Sequence, residues 1–185
     1  HRVIDNNRAI PAGTVYFPQY LQKAGYATCF IGKWHMGGES DEPQPGWDHW
    51  VSFRGQGEYL PPTPDYTLNV DGRRVRQKGY ITSELTDYAI AWLQQQKPAE
   101  KPFFLYLPHT MVHLPLAVST EFENRTDRLI WDAIEEVDWS VGEVLKEIKS
   151  LKIDKETLVI FTSDNGAAVG TSLPLRAKKG SVYDG

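Results

Sequence analysis

Three short apolar runs limit what this chain can fold into. Ala27-Thr28-Cys29-Phe30-Ile31, Pro102-Phe103-Phe104-Leu105-Tyr106-Leu107 and Leu158-Val159-Ile160-Phe161-Thr162 are apolar at successive positions rather than alternate ones. A strand of that kind has both faces to bury, so it belongs in a sheet covered on both sides. Helical spacing fills the intervals. Phe17, Tyr20, Leu21 and Ala24 share one face, with Gly25 placed as the C-cap. Leu85, Tyr88, Ala89, Trp92 and Leu93 form a stripe that Ser83 can cap, with Pro98 past its end. Ile130, Ile134, Val137, Val141, Val144 and Ile148 form a longer one. Strands alternating with amphipathic helices predict an α/β fold with a mostly parallel sheet covered by helices on both faces. The segment of about residues 39–80 interrupts that rhythm. Its first part is rich in Pro, Gly, Asp and Trp and reads as an ordered excursion, because its aromatics are costly to leave in water. Its second part, Tyr66–Val70, Asp71-Gly72 and Arg73–Val75, is a predicted hairpin with an Asp-Gly turn. There is no internal repeat and no convincing linker.

Composition removes several function classes. The chain has 185 residues, which fits one domain at roughly 150 residues each. An apolar fraction of 41% and six tryptophans describe a folded body rather than disorder. A net charge of −4 gives no electrostatic case for nucleic acid. No apolar run approaches the ~20 residues that span a bilayer, and no signal peptide is legible. Cys29 is the one cysteine. An internal disulfide is therefore excluded, and its strand position predicts a buried, inert thiol.

Each of the three runs opens onto a different polar cluster. After Ile31 comes Gly32-Lys33-Trp34-His35-Met36-Gly37, after Leu107 come His109 and His113, and after Thr162 come Asp164 and Asn165. Ligands of open α/β sheets sit at the carboxyl ends of the strands. Lys33 offers a fixed positive charge and His35 a donor or proton carrier, so the pair suits an anion, although an ordinary strand exit with two solvated residues reads the same way. Asp164 and Asn165 offer hard oxygens suited to Ca²⁺ or Mg²⁺; alone they could equally be an Asp-Asn-Gly turn. Zinc lacks a ligand pattern. Pro108 and Pro115 bracket the two histidines and argue against a helical metal pair. Lys179, in a late basic stretch, could add a second ammonium. A hard cation, two lysines and one or two histidines would stabilise negative charge gathering on non-bridging oxygens, as in sulfuryl or phosphoryl ester hydrolysis.

Over nearly its whole length, and in the same order, the chain resembles the sulfatase family of the alkaline-phosphatase-like superfamily. Phe17–Leu21 through Gly32-Lys33-Trp34-His35 is similar to the family's second signature. Phe103–Leu107 to His113-Leu114-Pro115 resembles its sulfate-binding strand, Val159–Gly166 its metal motif, and Lys179–Gly185 its late lysine motif. The resemblance implies that Asp164 and Asn165 bind the metal, usually calcium, with magnesium as the alternative. It implies that Lys33 and Lys179 hold sulfate oxygens and that Lys33 also touches the nucleophile. His35 would hydrogen-bond the hydrated nucleophile and help expel sulfate. His113, which directly precedes Leu-Pro, is preferred to His109 for binding sulfate and protonating the leaving alcohol. Pro45–Val51 followed by Tyr66–Gly72 resembles the insertion of N-acetylglucosamine-6-sulfatases and related glycan sulfatases, with Trp47, Trp50 and Tyr59 as candidates either for sugar stacking or for packing.

The resemblance also implies a formylglycine nucleophile made from Cys or Ser in a Cys/Ser-x-Pro/Ala-x-Arg motif. Cys29 is followed by Phe30-Ile31-Gly32 and does not qualify. The chain opens on His1-Arg2-Val3, without a methionine. It is expected to be the central part of one sulfatase catalytic domain, incomplete at both ends, and by itself inactive and weak in metal binding. The expected parent is a secreted, periplasmic or lysosomal hydrolase of a sulfated carbohydrate. A phosphodiesterase or phosphonate hydrolase of the same superfamily, or a non-catalytic relative that only binds sulfated glycan, are the other readings.

Overall fold

The run Ala27–Ile31 forms the strand on which the sheet is built. The computed structural model describes residues 5–38, 40–60, 65–96 and 101–182. Its elements there are α1 (Phe17–Lys23), β1 (Ala27–Ile31), β2 (His49–Ser52), β3 (Thr67–Val70), β4 (Arg73–Arg76), α2 (Ile81–Gln96), β5 (Phe103–Tyr106) and α3 (Leu129–Ser150). The sheet order is β4-β3-β2-β1-β5. β1 pairs in parallel with β2 and with β5, whereas β2–β3 and β3–β4 are antiparallel. The result is a parallel core of three strands extended by a hairpin, a mixed sheet. At the hairpin tip Asp71 and Gly72 both have positive φ, 51° and 83°, as a two-residue turn matched to strand twist requires.

Successive side chains of β1 serve opposite faces. Cys29 and Ile31 join Val51, Phe53 and Leu68 against Ile81, Leu85, Ala89 and Leu93 of α2, with Ile148 of α3 completing that core. Phe30 points the other way. It stacks on Trp50 at 4.4 Å and meets Trp34, Trp47 and Tyr106. Phe17 of α1 closes this aromatic layer against Trp47 and Phe104. Helices therefore do cover both faces. Cys29 is fully buried, and burial pushes its thiol well above the usual range.

The two edges differ in kind. β4 reads Arg-Arg-Val-Arg, and Arg74 forks onto the buried Asp41. β5 reads Phe-Phe-Leu-Tyr, is only half-buried, and leaves Tyr106 48% exposed. The 117–126 segment hangs from two buried carboxylates of α3. Glu136 accepts the Ser119 N–H at 2.9 Å, and Asp132 accepts those of Asn124 and Thr126. Burial holds Glu136 above the ordinary carboxylate range.

Two expectations change. α2 starts at Ile81, so Ser83 lies inside its first turn; Glu84 reaches back instead and accepts the N–H groups of Lys78 and Gly79. The run Leu158–Thr162 is not a buried strand. Leu158 is 84% and Phe161 73% exposed, and no described strand pairs with them. An apolar run records a demand for burial, but only an adjacent strand and a covering layer can meet it. The chain divides into two compact units, residues 1–153 and 154–185. The second has no helix or strand among its described residues and is held by turns. His1–Val3, Pro98 and the last three residues of the late lysine motif lie outside the described residues.

Candidate active site

Two neighbouring parallel strands deliver the first group of residues. β1 ends at Ile31 and hands over to Lys33 and His35, and β5 ends at Tyr106 and hands over to His109 and His113. The two exits touch at Gly32. Its φ is +142°, and a Cβ there would sit 2.1 Å from the Pro108 carbonyl oxygen, so only glycine lets the segments cross. The Lys33 N–H donates to that same oxygen at 3.0 Å, and the Gly32 N–H donates to Val51 at 2.8 Å. Ser52 Oγ donates to the Gly32 carbonyl at 2.9 Å, which ties the exit of β2 to the same point.

His35 stands in the left-handed region with φ 50°, a conformation that costs a non-glycine residue about 1–3 kcal/mol and is concentrated at functional sites. Its ring nitrogens lie next to two primary amides, with Asn6 Nδ2 3.3 Å from Nδ1 and Gln56 Nε2 2.8 Å from Nε2.

The two histidines after β5 occupy different environments. Burial lowers His109 to about 4, so it is neutral at physiological pH, and its Nδ1 is enclosed without a partner among the described residues. A neutral imidazole brings no positive charge to an anion. His113 is half-exposed, and its Nδ1 lies 2.7 Å from the Leu114 carbonyl. That acceptor fixes the proton on Nδ1 and leaves Nε2 as the basic nitrogen. Segment 108–118 forms turns and no helix, so the pair is not an i,i+4 set.

In the second unit, Asp164, Asn165, Lys178 and Lys179 line one cleft of about 460 Å³. The Lys179 N–H donates to Ala167 at 3.3 Å and ties the late lysine to the Asp-Asn-Gly turn. Among the described residues neither the Asp164 carboxylate nor the Lys179 ammonium has an ion-pair partner. The donor chemistry suits a hard cation. The donor number does not complete one, since Ca²⁺ takes about 6–8 oxygens and no group of three candidate ligands occurs among the described residues. Asp164 and Asn165 offer two oxygens toward such a shell and do not complete one.

The aromatics of the excursion are mainly structural. Trp50 is 1% exposed, stacks on Phe30 and donates its Nε1–H to the Asp41 carbonyl, which rules it out as a sugar platform. Tyr59 packs on the core, and Trp47 stacks on Phe104 and Tyr106. Sequence reasoning missed Gln56. Its only written trace is the pair of flanking glycines, Gly55 and Gly57.

Comparison with known proteins matches residues 1–185 to the sulfatase family profile. N-acetylgalactosamine-6-sulfatase of Mus musculus is 31% identical over 204 residues, which cover 95% of this chain and 39% of that protein. Among solved structures, Ps i-CgsB in complex with k-i-k-neocarrahexaose has a TM-score of 0.84 at 27% identity, covering 97% of this chain and 47% of its own. BT4656 in complex with its substrate D-glucosamine-2-N,6-O-disulfate has a TM-score of 0.55 at 35% identity, covering 64% and 23%. The chain spans about two fifths of the length of the curated relatives it matches across nearly all its residues.

Proposed function

The chain belongs to the sulfatase family, and from that premise we propose that it supplies the sulfate-gripping and acid–base part of a catalytic domain that hydrolyses a sulfate ester on a carbohydrate. The observation that carries the proposal is the Gly32–Pro108 crossing. It fastens the segment bearing Lys33 and His35 to the segment that leads to His113. In this reading one edge of a small oxyanion meets the Lys33 ammonium and the imidazoles carried by the segments that leave β1 and β5.

In this reading Lys33 and Lys179 neutralise the non-bridging sulfate oxygens, where charge builds in the transition state. His113, with Nδ1 committed to Leu114, carries a proton on Nε2 when charged and passes it to the departing sugar oxygen. His35 takes up a proton as sulfate is expelled and returns it to water. Asp164 and Asn165 would hold a divalent cation, calcium by preference, which when bound withdraws charge from a sulfate oxygen. A formylglycine supplied elsewhere in the protein would provide the attacking hydroxyl. The sulfated sugar as substrate is supported by the named substrate of BT4656 and by the N-acetylgalactosamine-6-sulfatase relative. The implied location is secreted, periplasmic or lysosomal; no described helix is long and apolar enough to cross a membrane.

The test is hydrolysis by the full-length protein of an aryl sulfate, an aryl phosphate diester and 6-sulfated amino sugars. Sulfate release that His113→Ala abolishes supports the reading. Turnover of the diester alone assigns a phosphodiesterase, and glycan binding without turnover of either assigns a binding protein.

A further inference from the structure

We propose that the cleft where the chain turns from β2 towards β3 is a subsite for an uncharged sugar unit joined to the one that loses its sulfate, with Arg54 and Asp65 as its hydrogen-bonding pair. The inference rests on the carbohydrate reading above and narrows it to substrates of more than one unit. Arg54, Asp65, Tyr66, Thr67 and Arg74 line this cleft, whose volume is about 310 Å³.

Topology puts the cleft beside the strand exit that carries Lys33 and His35. β1 and β2 are parallel, and β3 runs back against β2 with Ser52 opposite Asn69. The carboxyl ends of β1 and β2 and the start of β3 therefore share one end of the sheet, and continuing the register sets Arg54 opposite Thr67. Strands about 4.8 Å apart place β3 about 10 Å from β1, within the span of a disaccharide. The turn after β2 bridges that interval. Arg54 lines the cleft, and two residues on, Gln56 Nε2 lies 2.8 Å from His35 Nε2.

The walls are held before any ligand arrives. The Gly57 N–H closes the turn onto the Arg54 carbonyl at 3.0 Å, over the fully buried Phe53. A Cβ on Gly57 would lie 2.6 Å from the Phe53 ring, so the turn is pressed flat on it. On the hairpin side, the buried Gln77 donates its backbone N–H to the Tyr66 carbonyl at 2.9 Å. Its side-chain amide donates to the carbonyls of Glu58 and Gly79, each at 2.9 Å. One residue thus braces the segment after the turn against the foot of the hairpin.

The lining favours an uncharged, hydroxyl-rich ring. Arg74 already commits its guanidinium to Asp41 and Glu42. Arg54 and Asp65 are exposed, and neither has an ion-pair partner among the described residues, each other included. Their charges cancel within the cleft, so a sulfate or carboxylate that gained Arg54 would also face Asp65. Neighbouring hydroxyls of a sugar suit both: one accepts from the guanidinium and the other donates to the carboxylate. Thr67 brings a further hydroxyl, and Tyr66 an aromatic body with a polar tip.

The test uses the full-length protein and a 6-sulfated amino sugar, free or joined to a neutral hexose or to a uronic acid, with Arg54→Ala and Asp65→Ala beside wild type. Wild type is expected to have a higher kcat/KM on the neutral disaccharide than on the free sugar. Each variant is expected to cut that ratio about ten-fold, the effect of losing one charge-assisted hydrogen bond. The change should fall in KM, with melting temperatures unchanged because both side chains are exposed. The same ratio in wild type and both variants would overturn the proposal. A preference for the uronic acid that Arg54→Ala removes overturns the uncharged assignment. Should wild type release no sulfate, the hydrolysis reading fails, and affinity for the neutral disaccharide by titration calorimetry decides for the cleft. A comparable loss in Arg54→Ala then supports the subsite, and equal affinities overturn it.

Discussion

Replacing Gly32 by alanine probes the crossing on which the proposed site depends. The new Cβ would lie 2.1 Å from the Pro108 oxygen and 2.9 Å from its carbon, both backbone atoms with no flexible end to swing away. Reaching an ordinary contact of 3.4 Å needs a movement of more than 1 Å. That movement breaks the Lys33 N–H bond to Pro108, worth about 1 kcal/mol. Holding alanine at φ +142° adds about 1–3 kcal/mol. The expected loss is about 3 kcal/mol, against a typical stability of about 5–15 kcal/mol. At about 2–4 °C per kcal/mol for a domain of this size, the melting temperature falls by about 6–12 °C. Gly72→Ala is the control. Its φ is also positive, +83°, but its Cβ meets nothing within 4 Å, so only the backbone term of about 1–2 kcal/mol remains. Scanning calorimetry of the two variants in the full-length protein separates strain from collision. A Gly32→Ala protein that melts no lower than Gly72→Ala would refute the reasoning.

Glu136→Gln tests the buried carboxylate beneath the 117–126 segment. The folded-state pKa lies above the ordinary 4.5, so folding binds a proton. Its favourable contribution is present at low pH and is lost as pH rises through the folded value. The glutamine variant is expected to flatten that dependence and to be the more stable of the two at neutral pH by denaturant titration; a less stable variant there contradicts it. Asp164→Ala in the full-length protein is expected to weaken calcium binding by more than about ten-fold in titration calorimetry and to remove the loss of thermal stability caused by chelator. Cys29 is expected to resist alkylation in the native state and to react only after unfolding, as read by mass spectrometry.

What could be read in advance was local. The stripe of α2 and the Asp71-Gly72 turn depend on residues a few positions apart, and the structure has them; α3 forms where its spacing predicts, but it buries Asp132, Ala133, Glu136, Ser140 and Ile148 and leaves Ile134 of the expected stripe 40% exposed. β2 escaped notice because a four-residue strand between Asp48 and Phe53, inside a Pro- and Trp-rich stretch, is too short to show a period. Leu158–Thr162 looked the same as Ala27–Ile31 on the page, yet only the latter has neighbours at both edges, and partnership is not written in an apolar run. For the site, Lys33 and His35 were legible as polar residues at a strand's end. Their neighbour Gln56 was not, since an amide gains meaning only from the ring it meets. The distinction between His109 and His113 became physical only in the structure, where desolvation holds one neutral and the Leu114 carbonyl fixes the proton of the other.

The contrast between the sheet's two borders bears on how this polypeptide behaves at high concentration. Repulsion among the guanidinium groups of β4 keeps like chains from docking there, which is how natural sheets discourage self-association. β5 carries no such guard. Its outward amides and carbonyls, flanked by Phe103, Phe104 and Tyr106, form a template that a neighbouring copy can extend. Unless other polypeptide covers that border, precipitation of these 185 residues would begin at β5, and a lysine at Tyr106 would be the first change to make in keeping them in solution.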